Sequence, residues 1–237
     1  MINVYQLSTK HCLLPLLPGP VKRPACTEQT APFKVIGFYT AKSDQAHISY
    51  VHEANKWLAR VATENNFVYD STNDWNKLNT SLLAQYQVVL FLDTRPDSAA
   101  QRTAFQQYME KGGGWIGFHF AGFALTPSAY PQNWDWYHDQ FLGAGQYKGN
   151  TWRPTSAVLR VEGGKHPITQ HLPATFRSAP NEWYSWEKDL RKNPAIKILL
   201  SIDSTSFPWV QAPSNMKYGI VVITRWPGPI RITGCCM

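Results

Sequence analysis

The feature that most constrains the fold is an alternation of short apolar runs with longer amphipathic stretches across residues 34–118. Four runs, at 35–39, 67–69, 88–92 and 115–118, are rich in β-branched and aromatic residues and are too short for helices. The first of them, VIGFY, is apolar throughout, as expected for a strand buried on both faces. Four strands separated by helices in so short a stretch predict an α/β fold with an open parallel sheet and right-handed crossovers.

The segments between these runs carry helix signals. Apolar residues recur at helical spacing from Val51 to Val61, which predicts a helix with one buried face. Further along, Ser98 is followed three residues later by Gln101, the pattern of a capping box, so a second helix should begin there. Three glycines at 112–114 are expected to end that helix.

Candidate ligand contacts lie where the predicted strands end, because open parallel sheets bind ligands outside the carboxyl ends of their strands. These ends fall at residues 40–44, 93–95 and 119–122. Asp93 and Arg95 at the second end are therefore candidate substrate contacts, with a structural ion pair as an equally weighted alternative.

The stretch 123–147 has a different composition, since it combines loop-forming residues with many of the aromatics that make up 14% of the chain. A long insertion at the carboxyl end of a strand is usually functional. We expect Trp136 to stack on a substrate and His138 and Asp139 to bind it. Core packing for the tryptophan and a surface location for the His-Asp pair are the alternatives.

The net charge of +7 is concentrated at the two ends of the sequence. Residues 1–32 carry a net +2 and residues 208–237 a net +3, so no nucleic-acid partner is expected. No apolar stretch approaches the ~18 residues of a membrane span. A weakly charged, aromatic-rich body suits a neutral sugar better than a phosphate, and the glycines at 112–114 precede a strand, unlike a phosphate loop.

Cysteine and histidine positions predict neither a metal site nor a cofactor. The four cysteines, Cys12, Cys26, Cys235 and Cys236, leave residues 27–234 without a thiol nucleophile. The histidine pairs 47/52 and 166/171 are five residues apart, which does not place both rings on one helical face. Compartment (exported or cytoplasmic) and oligomeric state stay open, with a homo-oligomer among the options.

Four motifs in a fixed order carry a resemblance to a known family. They are GFHFAG at 117–122, WDWYHDQFLG at 134–143, HPI at 166–168 and NEWY at 181–184. Over about residues 33–207 the chain resembles the ThuA-like (trehalose-utilisation) family. The resemblance implies the class I glutamine amidotransferase-like fold, which is a flavodoxin-like open parallel sheet with helices on both faces. It also implies a role in using a sugar, either a trehalose-type disaccharide or an oxidised glycoside.

The resemblance also suggests which residues do the chemistry. In amidotransferases of this fold, the turn corresponding to 117–122 holds a catalytic cysteine, whereas this chain has His119, which cannot form the same thioester. A cysteine-dependent glutaminase is therefore not expected. We expect His119 and Glu182 to form an acid–base pair. Asn181, Trp183 and Tyr184 are the expected substrate contacts beside it.

The sequence also allows purely structural roles for these two residues and a second class of function. His119 is alternatively a turn histidine bonded to the backbone, and Glu182 an acid at a helix N-terminus. Whether the chain is an enzyme is left open. The alternative is a non-catalytic carbohydrate-binding or scaffold domain on a disarmed amidotransferase fold.

The two ends of the sequence do not resemble the family. Residues 1–32 are expected to be a poorly structured segment, 33–207 the ThuA-like domain, and 208–237 an aberrant tail. Back-translated and started two nucleotides later, the stretch from Lys217 permits the family's Tyr-Pro-Val…Trp-Thr-Asn pattern. We therefore hypothesise a frameshift just before Lys217, which nucleotide sequencing of the 3′ end would test. Loss of the family tail predicts an unpaired sheet edge.

Overall fold

A computed structural model describes residues 32–42, 44–122, 134–145, 147–151, 154–162 and 164–206, together with the backbone of 219–224 and 231–234. The α-helices are α1 (Gln45–Glu64), α2 (Thr80–Leu83) and α3 (Ala99–Glu110), and a π-helical segment covers Trp136–Phe141. Short 3-10 helices cover Trp75–Lys77, His119–Gly122, Leu190–Lys192 and Ser204–Ser206. The strands are β1 (Lys34–Phe38), β2 (Val68–Thr72), β3 (Val88–Phe91), β4 (Gly114–Gly117), β5 (Tyr147–Asn150), β6 (Val158–Val161), β7 (Thr175–Arg177), β8 (Tyr184–Trp186), β9 (Ile196–Asp203), β10 (Gly219–Thr224) and β11 (Arg231–Gly234).

Nine of these strands form one sheet in the order β2-β1-β3-β4-β11-β10-β9-β6-β7. The first four are mutually parallel, as the sequence predicted, and β11 continues the parallel part beside β4. From β11 onward all neighbours are antiparallel. β5 and β8 pair separately as a two-stranded antiparallel ribbon. The predicted open α/β sheet is confirmed, and an antiparallel extension is added to it.

Helices cover both faces of the parallel part, because side chains alternate between the faces along each strand. Ile36 of β1 and Phe91 of β3 belong to a core cluster that includes Phe105 of α3. Their neighbours Val35 and Leu90 belong to a second cluster that includes Val51 of α1. The continuous apolar runs in the sequence are therefore explained by burial on both faces.

The predicted helix signals also have their expected structure. Ser98 caps α3, its side chain accepting from the backbone N–H of Gln101 while the Gln101 side chain accepts from the backbone N–H of Ser98. Asp44 caps α1 by accepting from the backbone N–H of Ala46. Because α1 begins directly after β1, its first turn lies at the carboxyl edge of the sheet.

The tail contributes to the sheet, which corrects one expectation. The backbone of β10 and β11 lies between β4 and β9, so the unpaired edge predicted at this place is wrong. Residues 1–31 lie outside the described part of the chain. The frameshift stays a hypothesis for nucleotide sequencing.

Candidate functional site

The turn after β4 carries a non-glycine residue with a strained backbone at the carboxyl edge of the parallel strands. β4 ends at Gly117, and the chain turns sharply into the 3-10 helix at His119–Gly122. His119 has a φ of +43°, in the left-handed region that residues with a Cβ rarely adopt. Strained turns of this kind between a strand and a helix present one side chain at the top of an α/β sheet.

Hydrogen bonds from two aromatic side chains on other elements hold this turn in place. The Tyr137 hydroxyl donates to the carbonyl of Ala121 over 2.8 Å, and the Trp186 indole N–H donates to the carbonyl of Gly122 over 3.2 Å. These contacts tie the turn to the π-helical segment and to β8. These hydrogen bonds fix the backbone that carries His119, as a preorganised site requires.

Glu182 meets His119 in space although 63 residues separate them in sequence. Its Oε2 lies 3.2 Å from Nε2 of His119. The residues on either side fix its position: Asn181 pairs with Thr155 in an isolated antiparallel bridge, and the Trp183 N–H donates to the Thr151 hydroxyl over 3.0 Å. The structure thus brings together the two residues that the sequence suggested as an acid–base pair.

The two members of the pair differ in their access to solvent. His119 is 5% exposed, whereas the Glu182 side chain is 30% exposed. Burial and, to a smaller extent, the nearby His47 imidazole lower the pKa of His119 to about 4, while the Asp44 carboxylate opposes both. His119 is therefore neutral near pH 7. Since a carboxylate only accepts hydrogen bonds, Nε2 of His119 must carry the hydrogen and donate it to Glu182.

Aromatic and imidazole rings surround the pair. The Tyr184 ring lies 4.8 Å from that of His119, and the His47 ring lies 5.1 Å from it, edge to face at 81°. His47 also contacts Phe120 at 5.7 Å. Sequence reasoning missed His47 and Phe120 as site residues. The available signal was that His47 lies just beyond the predicted strand end at 40–44 and Phe120 within the one at 119–122.

Comparisons with known proteins identify the family of this chain. The family model described as ThuA, trehalose utilisation, matches residues 35–232. The chain belongs to the ThuA family. A ThuA-like protein from Bacteroides uniformis ATCC 8492 has 30% identity and a TM-score of 0.76, over 92% of this chain and 86% of that one.

More distant structures share the fold alone. A ThuA-like protein from Parabacteroides merdae ATCC 43184 is 16% identical with a TM-score of 0.58, over 86% of this chain and 79% of that one. A β-galactosidase from Bacillus circulans is 11% identical with a TM-score of 0.51, over 86% of this chain and 28% of its own. A search of curated proteins gave no match.

Asp93, a predicted substrate contact, organises a loop of this ThuA-family chain. Its Oδ1 accepts from the N–H of Thr40 over 2.7 Å, and its Oδ2 accepts from the N–H of Ala41 over 2.5 Å. Ala41 has a φ of +51°, so the carboxylate stabilises a strained loop between β1 and α1. Asp93 is 4% exposed, and its backbone partners give it a positioning role for the loop that leads into α1, where His47 lies.

Arg95 and His138 are buried away from solvent, at 3% and 5% exposed. Burial lowers the pKa of both side chains, and the Arg95 charge lowers that of His138 further, to about 3. Neither ring nitrogen of His138 has a hydrogen-bond partner among the described residues. Both side chains therefore lie near the carboxyl edge of the sheet without an exposed face for a ligand.

The remaining predicted contacts are distributed between the pair and the core. Asp139 forms a salt bridge with Lys188 at 2.7 Å on the surface, so the surface alternative for the His-Asp pair fits Asp139 but not the buried His138. The Trp136 ring stacks on Phe141 at 5.1 Å, and Trp183 is 2% exposed with its indole N–H on the Thr155 carbonyl. Trp183 is therefore part of the core, Trp136 is half-buried against Phe141, and Tyr184 contacts His119.

Two further findings concern the described residues as a set. No group of three or more His, Cys, Asp and Glu side chains among them could hold a metal ion. None of the helices in the described ranges has the length and apolar character needed to cross a membrane.

Proposed function

We propose that this chain binds a neutral, hydroxyl-rich sugar at the carboxyl edge of its sheet and that Glu182 transfers a proton to or from it. The observation that carries the proposal is the Glu182–His119 contact of 3.2 Å at a strained turn. The family's description, trehalose utilisation, supports a trehalose-type disaccharide or an oxidised glycoside as the substrate class.

The difference in exposure suggests a division of roles. Glu182 is accessible enough to meet a ligand, whereas His119 is buried behind it. A neutral His119 that donates Nε2–H fixes the orientation of the carboxylate and leaves its remaining lone pairs to accept a proton from a sugar hydroxyl. A positioned general base of this kind accelerates a reaction by about 10²–10⁴-fold.

The charges near the pair favour an uncharged ligand. Glu182 and Asp44 place two acidic groups around His119, which is itself neutral near pH 7. A phosphorylated sugar would meet net repulsion here. The half-buried ring of Phe120 provides apolar surface that suits a sugar's C–H face, and the buried Tyr184 ring packs against His119.

The same turn argues against cysteine-dependent glutamine hydrolysis. An imidazole stands where that mechanism needs a thiolate, and residues 27–234 contain no cysteine. This substitution favours one second candidate, a sugar-binding module without turnover on the same fold.

The test uses the purified full chain with a panel of trehalose, sucrose, maltose and their 3-keto derivatives, followed by NMR for binding and conversion. Glu182→Gln keeps the shape of the side chain and removes the base, so we expect at least a hundredfold loss of turnover with sugar binding retained. Glu53→Gln is the matched control, because Glu53 is 80% exposed on α1 and pairs only weakly with Lys56 at 4.0 Å.

Three outcomes separate the possibilities. Turnover that depends on Glu182 supports the enzyme. Binding without conversion by the unmodified chain supports the binding module. Conversion that is unchanged in Glu182→Gln, or no binding of any sugar in the panel, overturns the proposal.

A further inference from the structure

His47 is a polar group that the acid–base pair does not use. It lies in the first turn of α1, two residues after the helix begins, and it is half-buried. Its ring contacts the rings of His119 and Phe120 at 5.1 and 5.7 Å. Within the described ranges no hydrogen bond to a ring nitrogen of His47 is formed, so both nitrogens are available to a ligand.

The topology and the contacts place His47 and Glu182 beside the same ring, that of His119. β1 and β4 both border β3, so the loop after β1 and the turn after β4 share the carboxyl edge of the sheet. Glu182 contacts His119 through Nε2, and His47 contacts the same buried ring. Glu182 and His47 are therefore immediate neighbours of one ring at the same edge of the sheet.

We propose that His47 is a second ligand-contacting residue, which hydrogen-bonds one sugar hydroxyl while Glu182 takes another. This inference rests on the proposed function and narrows its substrate class. The ligand must present two hydroxyls along one edge, and the ring nitrogens of His47 provide the hydrogen-bonding partner for the second of them. A ligand with a single hydroxyl at this edge leaves one polar side chain unsatisfied and binds more weakly.

The loop between β1 and α1 supports a fixed position for this ring. Asp44 caps α1, and Asp93 holds the backbone of Thr40 and Ala41. The loop before α1 is therefore hydrogen-bonded to Asp93, which follows β3, and the first turn of α1 is capped by Asp44. A side chain on such a secured turn can contribute to specificity, because less conformational freedom is lost when it binds.

The experiment compares two substitutions of His47 with a control on the same helix. His47→Phe keeps a ring against His119 and Phe120 and removes the nitrogens, whereas His47→Asn restores a polar atom without the ring. His52→Asn is the control, since His52 is exposed on α1. The probes are trehalose and its 2-, 3-, 4- and 6-deoxy derivatives, with dissociation constants from calorimetry and a thermal midpoint for each variant.

We expect His47→Phe to weaken trehalose binding about tenfold without a fall in thermal midpoint, and His47→Asn to recover part of the affinity. His52→Asn should bind as the unmodified chain does. One deoxy derivative should bind about tenfold more weakly to the unmodified chain but equally with trehalose to His47→Phe, because the partner of that hydroxyl is already absent. A merely structural role for His47 would change the midpoint and would not single out one hydroxyl.

The failures are distinguishable. If Glu182→Gln loses turnover while His47→Phe binds every probe as before, this inference is wrong and the proposed function stands. If the unmodified chain binds none of the sugars, both are overturned.

Discussion

His119 and His138 offer a comparison between two regions at the same edge of the sheet. Each side chain is 5% exposed, and burial is the main cause that lowers the pKa of each, to about 4 and about 3. Their polar partners differ. His119 contacts Glu182, which is 30% exposed, whereas the ring nitrogens of His138 have no partner among the described residues.

The carboxylate beside each histidine accounts for this difference. Glu182 is held by its flanking backbone against His119, but Asp139, the neighbour of His138, pairs with Lys188 at the surface. Burial alone therefore lowers the pKa of a histidine without creating a functional site. A site also needs a partner that reaches both the buried ring and the solvent.

Lowering the pH should produce the largest effect, a loss of folding stability to which the two histidines contribute about equally. Because both are held neutral in the folded state with pKa values below 6.5, the unfolded chain binds more protons and stability falls as the pH drops below about 6.5. One unit of pKa difference is worth about 1.4 kcal/mol, so each histidine should cost on the order of 2 to 3 kcal/mol by pH 4.5.

Urea unfolding between pH 7.5 and 4.5 measures this loss. Carboxylates with a lowered pKa, Glu162 and Asp203, lose their contribution only nearer pH 4 and below. His138→Leu and His119→Leu should each flatten the profile, and His166, whose pKa is also lowered, accounts for part of what is left. A profile that His138→Leu leaves unchanged would show that this ring is not held neutral by burial, and the comparison would fail.

Turnover should separate the two histidines. His119→Asn removes the Nε2–H that orients Glu182, so we expect a loss of about a hundredfold in the rate constant of the sugar reaction. His138→Leu should change this rate far less, because its burial keeps the ring from a ligand. Equal losses in both variants would mean that His138 also takes part in the reaction, and the functional difference between the two histidines would be wrong.

Asp93→Asn should have an intermediate effect, on stability. The amide keeps one acceptor oxygen but presents N–H₂ to a backbone N–H, so one of the contacts to Thr40 and Ala41 is lost. We expect a loss of about 1–3 kcal/mol in the free energy of unfolding. A weaker trehalose affinity should accompany it if the loop positions His47. An unchanged denaturation midpoint would mean that the loop is held by other contacts.

The parallel part of the fold was predictable because its information is local. The runs at 35–39 and 88–92 are apolar on both faces, and Ser98 and Gln101 form the predicted capping box. The antiparallel extension was not predicted at strands such as β7, which has three residues, because pairing there depends on contacts distant in sequence.

The candidate site was predictable in part for the same reason. The resemblance suggested His119 and Glu182, but no spacing could show that they meet across 63 residues. The sequence relates His47 only to His52, five residues away, whereas the ring that His47 contacts in the structure is that of His119, after β4. The sequence predicts Trp136 and Trp183 at a ligand, and composition alone could not show that Trp183 is buried or that Trp136 stacks on Phe141.

The smallest expected effect tests whether Asp139 belongs to the surface. Its carboxylate and the Lys188 ammonium are each about half exposed, and ion pairs of this kind contribute little because water and salt screen them. Asp139→Asn should therefore lower the free energy of unfolding by less than about 1 kcal/mol, and 0.5 M NaCl should remove most of that difference. A larger, salt-insensitive loss would mean that Asp139 acts on the buried His138 through the π-helical segment. The two histidines would then each have a carboxylate partner, and exposure of that partner would remain as the difference between them.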